Sequence, residues 1–100
     1  MEVHISRGLE EYMAGSGRKN IAVEVAKADH SDFDVTELYV RLVDDRTADY
    51  LERKRGYRSL KTSSGRLLLP SYRLEFDRDV SFDVKKFWIF HKVTMEGIRL

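Results

Sequence analysis

The sequence predicts an α+β domain, with a mainly antiparallel sheet of about six to seven short strands and two short helices. Three observations favour this class. Apolar and polar residues alternate with a period of two in most segments, which is the pattern of half-buried strands. Few segments repeat apolar residues at helical spacing, and most connections are short. The expected order is β-α-β-β-α-β-β-β-β, and with a single proline in the chain we expect one domain over residues 1–100.

The first half of the chain is predicted to form a strand, a helix and a hairpin. Residues 2–5 alternate as a short strand, and Ser6 is a suitable helix N-cap because its hydroxyl can accept a hydrogen bond from a free amide of the first turn. The helix is expected to end at residues 15–17, where glycine adopts the left-handed conformation at low cost. Residues 21–26 and 38–43 alternate clearly, and we expect them to pair as an antiparallel hairpin.

The second half is predicted to begin with a helix and to continue as short strands. The pair Asp44-Asp45 is placed to cap a helix near residues 47–55, with Tyr50 and Leu51 facing inward and Gly56 ending the helix. Residues 57–61 and 66–69 are then expected as strands around a turn at residues 62–65, and residues 72–76 and 80–84 alternate on either side of a turn at residues 77–79.

The last segment, residues 87–100, gives the strongest strand signal. Aromatic and β-branched residues alternate along it, and at its start both faces are apolar, which predicts a central strand covered on both sides. Gly97 interrupts the alternation and predicts a bulge that reverses the two faces. His91 lies on the apolar face, so we expect it to be buried with a hydrogen-bond partner.

The composition excludes several classes of site. Because the chain has no cysteine, disulfides, thiolate catalysis and cysteine-ligated metal clusters are excluded. No apolar run approaches the roughly 18 residues of a membrane span, and the first residues lack the features of a signal peptide. We therefore expect a cytoplasmic protein with no membrane partner and no cofactor. Since no nucleophile motif or phosphate-binding glycine loop is present, we expect a binding module rather than an enzyme.

The net charge of +1 conceals an uneven distribution. Residues 1–51 carry 6 basic and 11 acidic side chains, whereas residues 52–73 carry 7 basic side chains and one acidic side chain. A basic surface formed by residues 53–73 predicts an acidic partner, either an acidic protein or a nucleic acid. We call residues 53–73 the basic block, and a tyrosine within it can also stack on an unpaired base. The predicted partner-binding residues are Arg53, Lys54, Arg55, Tyr57, Arg58, Lys61 and Arg66.

The basic block is also compatible with a purely structural role. It can form a solvated helix end and a sheet edge that resists pairing with other chains, or it can pair with the acidic first half of the chain. A homodimer is a further alternative, formed through exposed tyrosines or through the apolar run Phe87–Phe90.

An acidic loop provides an alternative site. Residues 29–37 carry four carboxylates and one imidazole, and oxygen-rich clusters of this kind can bind calcium or magnesium. The loop lacks the glycine and the distant glutamate of a calcium-binding loop, and a solvated turn accounts for the same residues. The metal-ligand candidates are Asp29, His30, Asp32 and Asp34.

The start of the chain resembles a known family. Ile5-Ser6, Glu11-Tyr12 and Ile21–Val25 form a strand–helix–strand pattern with a Glu-Tyr pair late in the helix. This pattern is similar to the start of small HesB-like proteins, relatives of the A-type iron–sulfur carriers, and it covers about the first quarter of the chain. The cluster ligands of that family are cysteines, which this chain lacks. The resemblance therefore implies a HesB-like scaffold without cluster ligands, as an alternative to the binding module.

Overall fold

The computed structural model describes residues 1–29 and 34–100. In this part of the chain two helices and seven strands follow one another in the predicted order, which confirms the α+β class. The elements are β1 Glu2–Ile5, α1 Arg7–Ser16, β2 Asn20–Asp29, β3 Asp34–Val43, α2 Asp45–Lys54, β4 Arg58–Lys61, β5 Arg66–Leu69, β6 Glu75–Phe87 and β7 Phe90–Arg99.

The strands form two sheets. One sheet has three strands in the order β1-β6-β7, and the other has four strands in the order β3-β2-β5-β4. β2 and β3 form the predicted antiparallel hairpin. Two neighbouring pairs are parallel, β1 with β6 and β2 with β5. These parallel pairs join segments that are distant in sequence, so local alternation does not predict them.

Two apolar clusters hold the layers together. The larger cluster lies where both sheets meet α1, and it buries Leu9 and Met13 of α1 with Ile21 of β2 and Phe82 of β6. Because neighbouring residues of a strand point to opposite faces, the other face of β2 is left for α2. That helix covers it through a second cluster of Ala22, Val43, Ala48, Leu51 and Leu68. Helices this short are marginal alone, so these contacts stabilise them.

Both helices have an N-cap that the sequence predicts, although α2 begins two residues before the expected position. The Ser6 hydroxyl accepts a hydrogen bond from the Leu9 amide at 3.1 Å, and the Asp44 carboxylate accepts one from the Thr47 amide at 2.8 Å. The hydrogen bond to the Thr47 backbone lowers the pKa of Asp44 below its usual value. Neither helix of the described chain has the length and apolar content that a membrane crossing requires. Both helices are followed by a glycine with positive φ, Gly17 and Gly56.

The terminal segment differs from its prediction. Residues 87–90 form the turn of a hairpin between β6 and β7, and β7 is an edge strand of its sheet. The predicted central strand is therefore wrong for β7, and the central position belongs to β6. β6 also continues through residues 77–79, where a turn was expected. Alternation reports which residues are apolar, and it does not distinguish a covered strand from a protruding turn.

The predicted irregularity at Gly97 is present, but its additional residues belong to β6, between Phe76 and Ser81. The pairing of β6 with β7 shifts register opposite Gly97, whose φ is 96°. A side chain at this position would meet the carbonyl oxygen of Asp79, so the close approach of the two strands requires glycine. Met95 and Ile98 both face the main core, which shows that the inward face changes parity across the bulge.

Two predictions of burial are wrong. His91 is exposed rather than buried, and its ring stacks on that of Tyr12 with centroids 4.3 Å apart and planes inclined by 16°. Tyr50 is also exposed, whereas its neighbour Leu51 is buried as expected. Periodicity assigned both residues to a buried face, but His91 lies on an edge strand and Tyr50 lies on the solvent side of α2.

Candidate functional site

The predicted basic surface is spread over two elements. Arg53 and Lys54 end α2, Arg55 follows them, and Arg58 and Lys61 lie on β4, an edge strand. All five side chains are exposed. None has an ion-pair partner among the side chains that the structure describes, those of residues 1–27 and 36–100. These cations are therefore available to a partner.

Arg66 makes its contacts within the fold. Its Nη1 donates to Asp49 Oδ1 and to Glu52 Oε1, each at 2.9 Å, and its Nη2 donates to the Asp45 carbonyl at 3.3 Å. The hydrogen bond to Asp49 is the main cause that raises the pKa of Arg66. Arg66 therefore links α2 to β5. This agrees with the alternative in which the basic block pairs with acidic residues of the same chain.

The Tyr57 hydroxyl is also used inside the fold. It donates to Glu24 Oε1, while Arg41 Nε donates to Glu24 Oε2 at 2.8 Å. Glu24 is buried, so each of its oxygens needs a donor. Burial is the main cause that raises the pKa of Tyr57 to about 12, and the hydrogen bond to Glu24 adds to it.

One region brings cations and an exposed aromatic ring together. A groove of about 580 Å³ lies between the start of β4 and the segment that joins β5 to β6. Its volume falls within the range of small-ligand pockets, roughly 300–1,000 Å³. We call it the basic groove, and its lining residues are Gly56, Arg58, Leu69, Pro70, Ser71, Tyr72, Arg73, Leu74 and Phe76.

A tight turn presents the aromatic ring at this groove. Pro70 follows β5, and its carbonyl accepts a hydrogen bond from the Tyr72 amide at 2.8 Å. The Tyr72 side chain is 43% exposed, and Lys27 Nζ lies 5.4 Å from its ring centroid. Arg58 and Arg73 are exposed on the groove lining. Two arginines therefore share the groove with an exposed tyrosine, and a lysine lies over the tyrosine ring.

Sequence reasoning identified part of this groove. Arg58 was in the predicted set, and Arg55 directly precedes the groove residue Gly56. Arg73 is the last cation of the basic block, and Tyr72 lies two residues after the only proline of the chain, so both residues had a local signal in the sequence. Lys27 had none, because β2 and the segment after β5 are brought together only by the sheet.

A second groove, of about 680 Å³, separates the edge strands β3 and β7. Its lining includes Arg18, Glu37 and Arg41. Glu37 is acidic, and the Arg41 guanidinium is hydrogen-bonded to Glu24. The lining therefore carries charges of both signs, and it matches an acidic partner less well than the basic groove.

The predicted metal loop cannot be described in the same way. His30 and Asp32 lie outside the described residues, and so do the side chains of Asp29 and Asp34, although both of these belong to strands. Metal binding by these four residues stays a prediction.

A different group of acids and a histidine lies on the three-stranded sheet. His4 Nε2 is 3.0 Å from Asp79 Oδ1 and 3.7 Å from Glu2 Oε2. The parallel register of β1 and β6 places Glu2 beside Asp79, so the sheet itself explains the cluster. All three residues are exposed, and exposed ion pairs of this kind are commonly no more than solvated surface contacts.

Comparison with known proteins shows a likeness of fold. No family model matches this chain, and no curated protein matches it. The crystal structure of Escherichia coli SufA, involved in biosynthesis of iron–sulfur clusters, is similar, with a TM-score of 0.56 at 7% sequence identity. The match covers 96% of this chain and 80% of that chain. At this identity the likeness shows the fold alone, and it agrees with the scaffold implied by the resemblance of the first quarter.

Proposed function

We propose that this protein is a small cytoplasmic binding module of one domain, and that it holds a single-stranded nucleic acid in the basic groove. The observation that carries the proposal is the convergence of Arg58, Arg73 and the exposed Tyr72 on one groove. Lys27 Nζ, 5.4 Å from the Tyr72 ring centroid, adds a third cation.

The chemistry of these groups suits a phosphate backbone with accessible bases. Arginine guanidinium groups can donate two parallel hydrogen bonds to one phosphate. An exposed tyrosine ring offers a face on which any base can stack. The acidic neighbour Glu75 lies 3.9 Å from Arg99, so part of its charge is offset away from the groove. Attraction of a polyanion and stacking of a base can therefore take place together.

The shape of the site favours a single strand over a duplex. Readout of base edges in the major groove of a duplex uses a projecting helix or β-ribbon. Here Arg58 and Arg73 flank a concave groove, and Arg53, Lys54 and Arg55 extend the positive surface at the end of α2. An acidic protein would satisfy the arginines but would leave the Tyr72 face without a stacking partner.

The test is fluorescence anisotropy with a labelled single-stranded oligonucleotide. With about three phosphates neutralised, the logarithm of affinity should fall against the logarithm of salt with a slope of roughly −2. Combined reversal by Arg55→Glu, Arg58→Glu and Arg73→Glu should abolish binding. Loss of stacking in Tyr72→Ala should weaken it by roughly 5- to 100-fold.

Two matched variants serve as controls for this test. Lys85→Glu, Lys86→Glu and Lys92→Glu together make the same change of charge on the remote hairpin, and Tyr50→Ala removes an exposed tyrosine from α2. Both should retain most of the affinity. Unchanged binding after reversal in the groove, or an equal loss after reversal on the hairpin, overturns the proposal. If a poly-glutamate peptide binds in the groove and the oligonucleotide does not, the partner is an acidic protein instead.

The likeness to the SufA structure favours a second candidate function. SufA is involved in biosynthesis of iron–sulfur clusters, and a cysteine-less HesB-like scaffold would act in such a process as an interaction partner. Because this chain has no thiolate to offer, we expect that the groove rather than a cluster site would make its contacts. This candidate is tested by a pull-down with iron–sulfur assembly proteins. The native chain is compared with the variant that carries Arg55→Glu, Arg58→Glu and Arg73→Glu.

A further inference from the structure

The hairpin of β6 and β7 ends in four large apolar side chains that protrude from the molecule. Phe87, Trp88, Ile89 and Phe90 are between 68% and 83% exposed. We call these four residues the apolar turn. Single exposed apolar residues are ordinary on protein surfaces, whereas a contiguous exposed group marks an interaction site.

The backbone of the apolar turn is strained. Trp88 has φ 59°, and no other non-glycine residue in the described part of the chain has a positive φ. Tight hairpin turns favour glycine, asparagine or aspartate at such positions, because a bulky residue there is destabilising. Folding alone does not explain a tryptophan at this position.

Three lysines lie at the base of the apolar turn. Lys85 lies directly opposite Lys92, and Lys86 lies opposite His91. Like charges in directly opposite positions destabilise a sheet. Residues 84–93 contain no aspartate or glutamate. We call Lys85, Lys86 and Lys92 the lysine collar, and none of them forms an ion pair with a side chain of residues 1–27 or 36–100.

The spacing of these groups matches the interface of a bilayer. Phe87 pairs with Phe90, and the pair Lys85–Lys92 follows two residues further down both strands on the same face, roughly 7 Å below. We propose that the apolar turn inserts among the headgroups of an anionic phospholipid membrane while the lysine collar binds lipid phosphates. Aromatic and aliphatic side chains suit the headgroup–acyl boundary, and lysines extend toward the phosphates above it.

Anionic lipid explains the surface better than a second copy of this chain. Two apolar turns packed together would bring two lysine collars into contact, and the repulsion would oppose a dimer. The cytoplasmic leaflet carries the negative charge that the collar requires. The proposal replaces the expectation of no membrane partner with docking at the surface, which requires no spanning helix. It does not depend on binding at the basic groove.

The test uses Trp88, the only tryptophan of the chain. Vesicles of equimolar phosphatidylcholine and phosphatidylserine should shift its emission to shorter wavelengths, and brominated lipid should quench it. Vesicles of phosphatidylcholine alone should have little effect. Combined Lys85→Glu, Lys86→Glu and Lys92→Glu should lower the partition coefficient roughly 100-fold, from the contribution of each lysine near a charged surface.

Variants of the apolar turn and matched controls complete the experiment. Ile89→Ser and Phe90→Ser should each lower partitioning roughly tenfold, because each removes a large apolar side chain from the interface. Tyr50→Ser removes an exposed ring elsewhere and should leave partitioning unchanged. Combined Arg53→Glu, Lys54→Glu and Arg55→Glu should retain more binding than reversal of the collar. Circular dichroism should show the same melting temperature for every turn variant.

Three outcomes overturn the proposal. One is the absence of both an emission shift and co-sedimentation with the anionic vesicles at low salt. Another is equal binding to neutral vesicles. The third is an emission shift that depends on protein concentration without lipid, which would assign the apolar turn to a homodimer. Oligonucleotide affinity should not change in the turn variants, so failure here is distinguishable from failure of the nucleic-acid proposal.

Discussion

Neighbouring groups decide what each side chain of the basic block does. Arg58 faces the basic groove without an ion-pair partner in the described chain, whereas Arg66 binds two carboxylates of α2. Tyr57 and Tyr72 differ in the same way, because one hydroxyl serves the buried Glu24 and the other ring is accessible. Residue type alone therefore does not separate a binding residue from a structural one.

Removal of the Tyr57 hydroxyl should lower the stability of the fold, because it leaves one oxygen of the buried Glu24 carboxylate without a hydrogen-bond donor. Tyr57→Phe should lower the free energy of unfolding at neutral pH by about 1–3 kcal/mol, the usual penalty for an unsatisfied buried acceptor. Urea denaturation measures it, with Tyr50→Phe as the exposed control. An equally stable Tyr57→Phe variant would show that Arg41 alone satisfies the carboxylate.

The same tyrosine should make stability depend on pH under alkaline conditions. Its pKa is raised from 10.0 to about 12 in the folded protein, so between these values the folded state holds a proton that the unfolded state has lost. Its contribution is complete below the unfolded pKa and is lost as pH rises toward the folded pKa. Denaturation midpoints should therefore fall more steeply over this window for the native chain than for Tyr57→Phe. Parallel curves would contradict the assignment.

The β6–β7 hairpin shows how two elements with the same alternation can differ in environment. β6 is the central strand of its sheet, and Phe82 within it is 1% exposed. β7 is an edge strand, and the turn before it protrudes. The bulge at Gly97 then turns Ile98 back into the core. The end of the hairpin at Ile98 is therefore packed in the core, whereas the turn at residues 87–90 is exposed to solvent.

Two truncations should separate these environments. Phe82→Ala should cost about 3–5 kcal/mol, because it removes a buried ring and leaves a cavity. Ile89→Ala should change the free energy of unfolding by less than about 0.5 kcal/mol, because a surface substitution loses little packing. Urea denaturation of both variants measures the difference. A loss at Ile89 that approaches the loss at Phe82 would mean that the turn is covered in solution.

The two proposed surfaces lie at opposite ends of one strand. Phe76 lines the basic groove near the start of β6, and Phe87 ends that strand at the apolar turn. At the ordinary rise of a strand, these two residues are separated by roughly 35 Å. Reversal of charge at one surface therefore serves as the control for the other.

A metal titration tests the alternative function on the whole chain. If Asp29, His30, Asp32 and Asp34 do not bind metal, calcium, magnesium, manganese and zinc should produce neither heat in calorimetry nor a shift in melting temperature. A metal that binds the folded state would instead stabilise it by about 2.7 kcal/mol at a hundred times its dissociation constant. Such a shift, abolished by Asp32→Asn with Asp34→Asn, would favour the metal-dependent alternative.

Local chemistry determined much of the architecture. The N-caps at Ser6 and Asp44, the β2–β3 hairpin and the reversal of faces at Gly97 all follow from side chains that are close in sequence. Their physical causes, a free amide that needs an acceptor and a backbone angle that favours glycine, act within a few residues. The order of elements and the α+β class were predictable for this reason.

Only the tertiary structure decided which residues share a surface. The parallel pairing of β2 with β5 brings Lys27 toward Tyr72, and the approach of α2 to β5 gives Arg66 its carboxylate partners. Whether the apolar residues at 87–90 are covered also depends on neighbours that are distant in sequence. Alternation records the polarity of each residue, whereas burial and pairing depend on packing between separate elements. The sequence by itself therefore determined the elements and the positive charge of the middle of the chain, and packing determined the groove and the protruding turn.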